Sequence, residues 1–309
     1  MIESGSRSAS LRTKPNPRGA RIPGVGRGTP PPPAFVGYWR RMKADPASVV
    51  MFLVLLAVAL VTAYPFLFMI VTSFKTQAQY TDGSGFSVAA WRQLLSTPDI
   101  GIQLLNSGFV TISAIAIILV CSSAAGYAFA KLPFRGHSVA FFAVIGCLMI
   151  PVQSIIIPVY INFAGVHLIN NYLSAILLYA ALGTPFGTFL MTSFFRGLPD
   201  ELIDAGLCDG LGRVAGFWRL ALPLAKPALT AVAVLQFILI WNDLLVGLLF
   251  LQTPALRTIT VGIGVLASGN HTSLSLLMAA AVISSLPALV VYTFLQRYLI
   301  AGLTVGVSR

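Results

Sequence analysis

The longest stretch without a charged side chain is the feature that most limits how this chain can fold. Residues 138–195 contain no Lys, Arg, Asp or Glu, a run of 58 positions in a chain of 309. Charged residues make up 9% of the whole chain, against about 25% in a typical soluble domain. One helical crossing of a bilayer needs about 20 apolar residues, so this run has room for two. The sequence predicts a helical membrane protein with several spans and argues against a soluble enzyme or a disordered chain.

Six apolar segments are each long enough to cross a bilayer, and runs of this length satisfy their backbone hydrogen bonds in lipid as helices. They cover residues 49–72, 107–130, 138–163, 172–194, 228–250 and 274–295. Residues 1–48 are basic and rich in Pro and Gly, which predicts a disordered cytoplasmic tail, with a regulatory or lipid-binding arm as the alternative. Prolines inside several spans predict kinks: Pro65, Pro151, Pro158, Pro185 and Pro287.

The distribution of basic residues predicts the orientation. Lys and Arg total 17 in the N-terminal segment, loops 131–137 and 195–227, and the segment after residue 295, but 3 in the loops on the other side. Cytoplasmic loops carry the excess of basic residues, so both termini are expected in the cytoplasm. The same bias explains the net charge of +11 without nucleic acid binding. The three Cys and three His are scattered, which predicts packing cysteines and no metal site.

Loop 195–227 is the longest connection on the predicted cytoplasmic side, and its pattern predicts a short helix. Pro199 suits a first turn, acidic residues follow it, and Gly210 and Gly212 can end the helix. A helix that lies on anionic lipid is normally basic, whereas this one carries Asp and Glu. The residues therefore favour a helix that docks on a protein partner, with an interfacial membrane anchor as the alternative.

The same loop resembles the EAA loop of binding-protein-dependent ABC transporter permeases. That pattern is Glu-Ala-Ala, three residues, Gly, nine residues, a hydrophobic residue, one more, then Leu-Pro. Here Asp204-Ala205-Gly206 is followed at the same spacings by Gly210, by Leu220 and by Leu222-Pro223. Asp replaces Glu and Gly replaces the second Ala, and Gly inside a helix costs about 1 kcal/mol relative to Ala. The resemblance implies that the loop docks on an ATPase, with these residues involved: Glu201, Asp204, Ala205, Gly206, Asp209, Gly210, Leu222 and Pro223.

The resemblance extends from about residue 49 to 309 and is closest to the smaller, six-span subunit of maltose-type importers. It includes the segments 64–75, 106–111, 126–134, 149–160 and 241–245, and a C-terminal Gly-Leu-Thr-x-Gly expected near the ATPase: Gly302, Leu303, Thr304 and Gly306. It implies the type I importer permease fold, with residues 49–309 as one transmembrane domain, in the cell membrane of a bacterium. It also implies three kinds of partner: a second permease subunit in a heterodimer, two ATPase subunits, and an extracytoplasmic substrate-binding protein. The chain has no G-x-x-x-x-G-K-[ST], so ATP and Mg are expected on the partner ATPase, and this chain is expected to be a transport subunit rather than an enzyme.

Asp243 is the single acid inside a predicted span, which makes it a candidate for the substrate path. Aromatic and amide side chains suit sugar hydroxyls, which adds Trp241 and Asn242, with Gln153, Gln236 and Asn162 as weaker candidates. A structural role for Asp243, as a helix cap or cross-link, is the alternative. The function predicted is import of a sugar or oligosaccharide. The alternatives are another polar solute such as glycerol phosphate, a secondary transporter that uses Asp243, or a membrane scaffold.

Overall fold

The structure is a computed structural model that describes residues 46–82, 85–269 and 273–305. Within those residues all regular secondary structure is helical. Residues 1–45 of the predicted tail lie outside the described residues. Gly306 also lies outside them. Residues 46–48 already belong to the first helix, which starts slightly before the predicted span.

The described helices are numbered in chain order. They are α1 (Pro46–Ser73), α2 (Gln77–Asp82), α3 (Ala89–Leu95), α4 (Pro98–Lys131), α5 (His137–Gly146), α6 (Val152–Gly165), α7 (Tyr172–Arg196), α8 (Asp200–Cys208), α9 (Arg213–Leu224), α10 (Lys226–Trp241), α11 (Leu245–Phe250), α12 (Ile259–Ser268) and α13 (Leu274–Val305). α9 includes one π-helical segment, Phe217–Ala221.

The chain divides into two compact units between Thr62 and Ala63, inside α1. The described part of the first unit is the beginning of α1, where most of the apolar side chains from Val49 to Val61 are exposed. The second unit contains every other described helix, and the candidate functional sites belong to it.

Four of the described helices are long and apolar enough to cross a membrane, and two bent helix pairs raise the number to as many as six if each pair is one span. The four are α1, α4, α7 and α13. The pairs are α5 with α6 and α9 with α10, bent by 97° and 72°. The predicted span over residues 138–163 is therefore not a single continuous helix. The 72° bend lies before the predicted span over residues 228–250, which is divided instead between α10 and α11. Among the described residues the cysteines are exposed, so the prediction that they are core packing residues is wrong.

The 97° bend lies at Pro151. Pro151 has no backbone N–H, and its ring excludes the preceding residue from the helical region. Ile150 is accordingly extended, with φ −85° and ψ 113°, and α6 begins at Val152. The helices continue through the other four prolines at which kinks were predicted: Pro65, Pro158, Pro185 and Pro287.

α4 and α7 pack closely because glycines remove side chains from their interface. A Cβ on Gly183 of α7 would lie 2.5 Å from Ile118 Cδ1, and one on Gly187 would lie 2.8 Å from Ser122 Cβ. One turn further, a Cβ on Gly126 of α4 would lie 2.6 Å from Met191 Cβ. Small residues at such spacing let two membrane helices approach closely enough for extensive van der Waals contact. The α4–α7 pair is the framework to which the candidate sites attach.

Candidate docking helix and path residues

The short helix α8 presents its acidic side chains to solvent and its small apolar side toward the rest of the chain. Asp200 and Glu201 occupy its first turn, where the positive end of the helix dipole favours carboxylates. Glu201 and Asp204 are exposed, whereas Ile203 is half-buried and Gly206 is buried. The helix therefore exposes acidic side chains on one side, while the opposite side packs against the rest of the protein.

α8 ends in a Schellman motif, and this ending explains the glycine at position 210. Gly210 has a φ of +80°, in the left-handed region that residues with a Cβ avoid. The N–H of Leu211 donates to the carbonyl of Gly206 at 2.9 Å, and the Leu211 side chain covers the same residue. These are the backbone and hydrophobic contacts that define the motif. The chain turns away from the helix axis at Gly210.

The two halves of the EAA-like pattern meet in space. A Cβ on Gly206 would lie 2.5 Å from Leu220 Cδ1, so the hydrophobic position of the pattern packs on its third position. Leu220 belongs to the π-helical segment of α9, and Pro223 follows it. Pro223 cannot donate to the carbonyl four residues earlier, which favours this irregular hydrogen bonding. Leu222 is half-buried against the core, whereas Ala205, Asp209 and Pro223 are exposed.

Lys131 connects the end of α4 to the start of α8, a role that the sequence did not indicate. Its ammonium donates to the carbonyl of Leu198 at 2.6 Å and to Asp200 Oδ1 at 2.5 Å. The Lys131 side chain is 6% exposed and that of Asp200 is 82% exposed. In the sequence, Lys131 counts only as one of the charges that predict orientation and as part of segment 126–134, which resembles the permease family. Its partners lie 67 and 69 residues away, so no local pattern points to them.

An open groove of about 640 Å³ lies beside this ion pair. It runs between the end of α4, the loop 131–137 and α8, and its lining includes Phe134, His137, Asp204 and Arg213. His137 Nε2 lies 2.5 Å from the carbonyl of Phe129, and since a carbonyl can only accept, the imidazole donates there. The groove therefore borders α8 on the side of Asp204.

Asp243 lies at a break between two helices. Its Oδ1 accepts from the backbone N–H of Val246 at 2.9 Å, which caps the start of α11, and from the hydroxyl of Tyr179 at 2.8 Å, which links it to α7. Asp243 is partly exposed. The helical hydrogen bonding of the predicted fifth span stops at Trp241 and resumes at Leu245. The sequence did not indicate Tyr179 as a hydrogen-bond partner of Asp243.

Gln236 and Trp241 are buried, with exposed fractions of 4% each. The Trp241 indole donates to the carbonyl of Ser284 at 2.9 Å and stacks on Phe237, which ties α10 to α13. Gln236 lies against α7, where a Cβ on Gly183 would be 2.7 Å from its Oε1. Since Gly183 is one turn from Tyr179, the structure brings Gln236 and Asp243 to the same stretch of α7.

The other path candidates are not part of this group. Gln153 and Asn162 are exposed on α6, and Asn242 is exposed at the end of α10, where its amide donates to the carbonyl of Ile238. Of the C-terminal candidates, Gly302, Leu303 and Thr304 lie within α13. The predicted span ended at residue 295, whereas α13 continues to Val305.

At the end of the framework away from α8, two asparagines fix the loop that follows α11. Asn106 on α4 donates to the carbonyls of Ala255 and Arg257 at 2.9 and 3.0 Å and accepts from the Tyr172 hydroxyl at 2.7 Å. Asn170 Oδ1 accepts from the N–H groups of Gln252 and Thr253. This loop is therefore held by side chains that lie near the starts of α4 and α7. The sequence offered Asn106 only as part of a segment that resembles the permease family.

No group of three or more His, Cys, Asp or Glu that could hold a metal ion occurs among the described residues. The arrangement is that of a helical membrane protein with a short acidic helix, α8, between its long apolar helices. Residues 119–305 match the family described as binding-protein-dependent transport system inner membrane component. The chain belongs to this family, and it is a permease subunit of an ABC importer.

Several known proteins are similar to this chain. It is 33% identical over 222 residues to an osmoprotective compounds uptake permease protein of Synechocystis sp., a match that covers 72% of this chain and 74% of the relative. It is 34% identical to an arabinooligosaccharides transport system permease protein of Halalkalibacterium halodurans, covering 65% and 71%. A solved bacterial ABC transporter involved in the import of the acidic polysaccharide alginate matches with a TM-score of 0.73 at 22% identity, covering 84% of this chain and 98% of that one. That likeness confirms the permease fold that the sequence predicted.

Proposed function

We propose that this permease subunit forms half of the membrane path for a sugar or oligosaccharide. The polar group along α7 supports this proposal best. Asp243 and Gln236 meet α7 one turn apart, and Asp243 uses Oδ1 for both of its hydrogen bonds among the described residues. Its Oδ2 is left to accept a hydrogen bond from a substrate hydroxyl. The similarity to a permease for arabinooligosaccharides agrees with such a cargo.

The acidic surface of α8 is the proposed docking site for the ATPase. Glu201 and Asp204 are exposed on α8, and Asp209 is exposed directly after it. Gly210 forms the turn that ends the helix, and Leu220 packs on its buried residue Gly206. The end of α13, which includes residues 302–304, and Gly306 beyond it are proposed to lie near the same partner. ATP and Mg would bind to that ATPase, which carries the hydrolysis.

The wider assembly follows from the same proposal. Six spans cross the membrane when each bent pair counts as one, with both termini and α8 in the cytoplasm. The remaining partners are a second permease subunit, a second ATPase, and a substrate-binding protein on the opposite side of the membrane. ATP binding would move the two docking helices together and convert the permease pair between inward-facing and outward-facing states.

A phosphorylated solute such as glycerol phosphate is the second candidate cargo. A phosphate would need Arg or Lys in the path. The polar group along α7 consists instead of an amide, a phenol and a carboxylate, which suits neutral hydroxyls better. Proton-coupled transport through Asp243 is disfavoured because its Oδ1 is engaged as a helix cap and cross-link.

The test is an ATPase measurement on the assembled transporter in lipid. The chain is co-expressed with candidate ATPase, permease and binding-protein partners, and hydrolysis is measured with and without a panel of sugars and phosphorylated solutes. Asp204→Arg reverses an exposed charge on α8, and Asp82→Arg makes the same change at the exposed last residue of α2.

A sugar that stimulates hydrolysis in the wild type and in the Asp82 variant, but not in the Asp204 variant, supports the proposal. Stimulation by a phosphorylated solute alone would replace the sugar with that cargo. Equal stimulation in both variants would remove the docking role of the acidic surface.

A further inference from the structure

Three segments of the chain meet at one buried ammonium. Lys131 is the last residue of α4, Leu198 lies in the connection that follows α7, and Asp200 is the first residue of α8. The Lys131 ammonium donates to the Leu198 carbonyl and to the Asp200 carboxylate. It therefore joins α8 to the closely packed α4–α7 pair at the point where the chain enters α8.

The burial of the two partners is unequal, and this decides what the contact can do. An exposed ion pair is worth roughly 0–1 kcal/mol, because water competes with it. Here the Lys131 side chain is only 6% exposed, so its ammonium has exchanged much of its water for the two protein oxygens. Asp200 is 82% exposed and would be well solvated without its partner. Asp200 therefore does not need this ion pair for its own solvation. The main effect of the contact is to hold the start of α8 against the end of α4.

We propose that Lys131 is a positioning residue that transmits movement of α8 to α4. This inference rests on the proposed docking of the ATPase on α8. Lys131 connects the start of α8 directly to α4, whereas Leu220 behind Gly206 joins α8 to α9. Among the acids of α8 the ammonium bonds Asp200, and no bond joins it to Glu201, Asp204 or Asp209 or to the polar group along α7. Its loss therefore leaves those proposed docking residues and the substrate contacts in place. It uncouples hydrolysis from transport.

The first arm of the test measures positioning without any partner. Hydrogen exchange is followed in the full-length chain in lipid nanodiscs for the wild type, Lys131→Met and Asp200→Ala. Met has nearly the volume of Lys but no charge. The expected result is an increase of about 10-fold in the exchange rates of the α8 amides in both variants. Glu201→Ala is the matched control, since it removes a neighbouring exposed acid from the same helical turn.

The second arm measures coupling in the assembled transporter. Lys131→Met is expected to keep ATP hydrolysis within about twofold of the wild type but to lower the amount of solute transported per ATP by about 10-fold, equivalent to roughly 1.4 kcal/mol. Lys131→Arg, which retains the charge and donors, restores much of this ratio. Arg135→Met changes an exposed cation in the same loop and leaves the ratio unchanged.

The two arms fail separately. Unchanged α8 exchange in both Lys131→Met and Asp200→Ala overturns the positioning role, whatever the chain transports. Faster exchange with an unchanged ratio of transport to hydrolysis overturns transmission. If the wild type shows no coupled transport, the proposed function fails, while the exchange result still decides whether Lys131 positions α8.

Discussion

Leu220 packs directly on Gly206, and this contact gives a physical reason for the spacing of the EAA-like pattern. A Cβ on Gly206 would lie 2.5 Å from Leu220 Cδ1, although 14 positions separate the two residues. From the sequence, Gly206 could only be assigned a cost to helix stability of about 1 kcal/mol. In the structure it is buried beneath the hydrophobic residue of the second half of the pattern. The spacing of the pattern therefore brings its hydrophobic position, Leu220, into contact with its third position, Gly206.

Enlarging Gly206 should displace Leu220 and loosen α8. Gly206→Leu is expected to destabilise the loop by about 1–3 kcal/mol, the usual cost of overpacking. Adding Leu220→Ala to it returns the space and should recover most of the stability. Ala205→Leu, on the exposed side of the same helix, should have little effect. The measurement is the exchange of α8 amides, and failure of the double variant to recover would contradict direct packing.

Gly210 and Gly212 make it possible to distinguish the effect of backbone conformation from the effect of steric crowding. Neither Gly210 nor Gly212 has an atom within 4 Å of an added Cβ, but φ is +80° at Gly210 and −66° at Gly212. Gly210→Ala should destabilise the end of α8 by roughly 1–2 kcal/mol, because a Cβ is strained in the left-handed region. Gly212→Ala should be neutral or slightly stabilising. ATPase association, measured by cross-linking through the exposed Cys208, should fall for the first variant alone; equal behaviour would rule out the Schellman ending as the cause.

Local signals predicted much of the fold, whereas contacts distant in sequence remained hidden. The apolar lengths located the four long apolar helices α1, α4, α7 and α13, and Gly210 located the end of α8. The break after Trp241 was missed because apolar residues continue on both sides of Asp243. The alternative offered for Asp243, a helix cap or cross-link, agrees with its bonds to the Val246 N–H and the Tyr179 hydroxyl. Lys131 was beyond reach, since its value depends on partners 67 and 69 residues away.

The α4–α7 interface should tolerate no added methyl group at Gly187. An Ala Cβ there would lie 2.8 Å from Ser122 Cβ, and Ser122 cannot swing aside as a long side chain can. Gly187→Ala should therefore lower stability by about 1–3 kcal/mol. Gly108→Ala makes the same change on α4 at a position with no atom within 4 Å and should be neutral or better. Thermal unfolding in nanodiscs compares the two, and a stabilised Gly187 variant would show that the helices are not in close contact.

Asp243→Asn separates the two roles of this side chain. The Asn Oδ1 can still accept from Val246 N–H and from the Tyr179 hydroxyl, so assembly and thermal stability should stay near those of the wild type. The second oxygen becomes an NH₂ group, which cannot accept a hydrogen bond from a substrate hydroxyl. If Oδ2 faces the path, the KM for the sugar should rise by roughly 10-fold, the effect of about 1.4 kcal/mol.

Asp243→Ala and Tyr179→Phe provide the comparison for that experiment. The Ala variant loses the cap of α11 and leaves the Tyr179 hydroxyl without its acceptor, at a cost of about 1–3 kcal/mol in stability. Tyr179→Phe removes the cross-link and keeps the cap, so its loss of stability should be smaller. Transport kinetics are measured beside thermal unfolding for all three variants. An Asn variant with wild-type KM and stability would mean that Asp243 acts as a cap and cross-link alone, since the path would then not depend on its second oxygen.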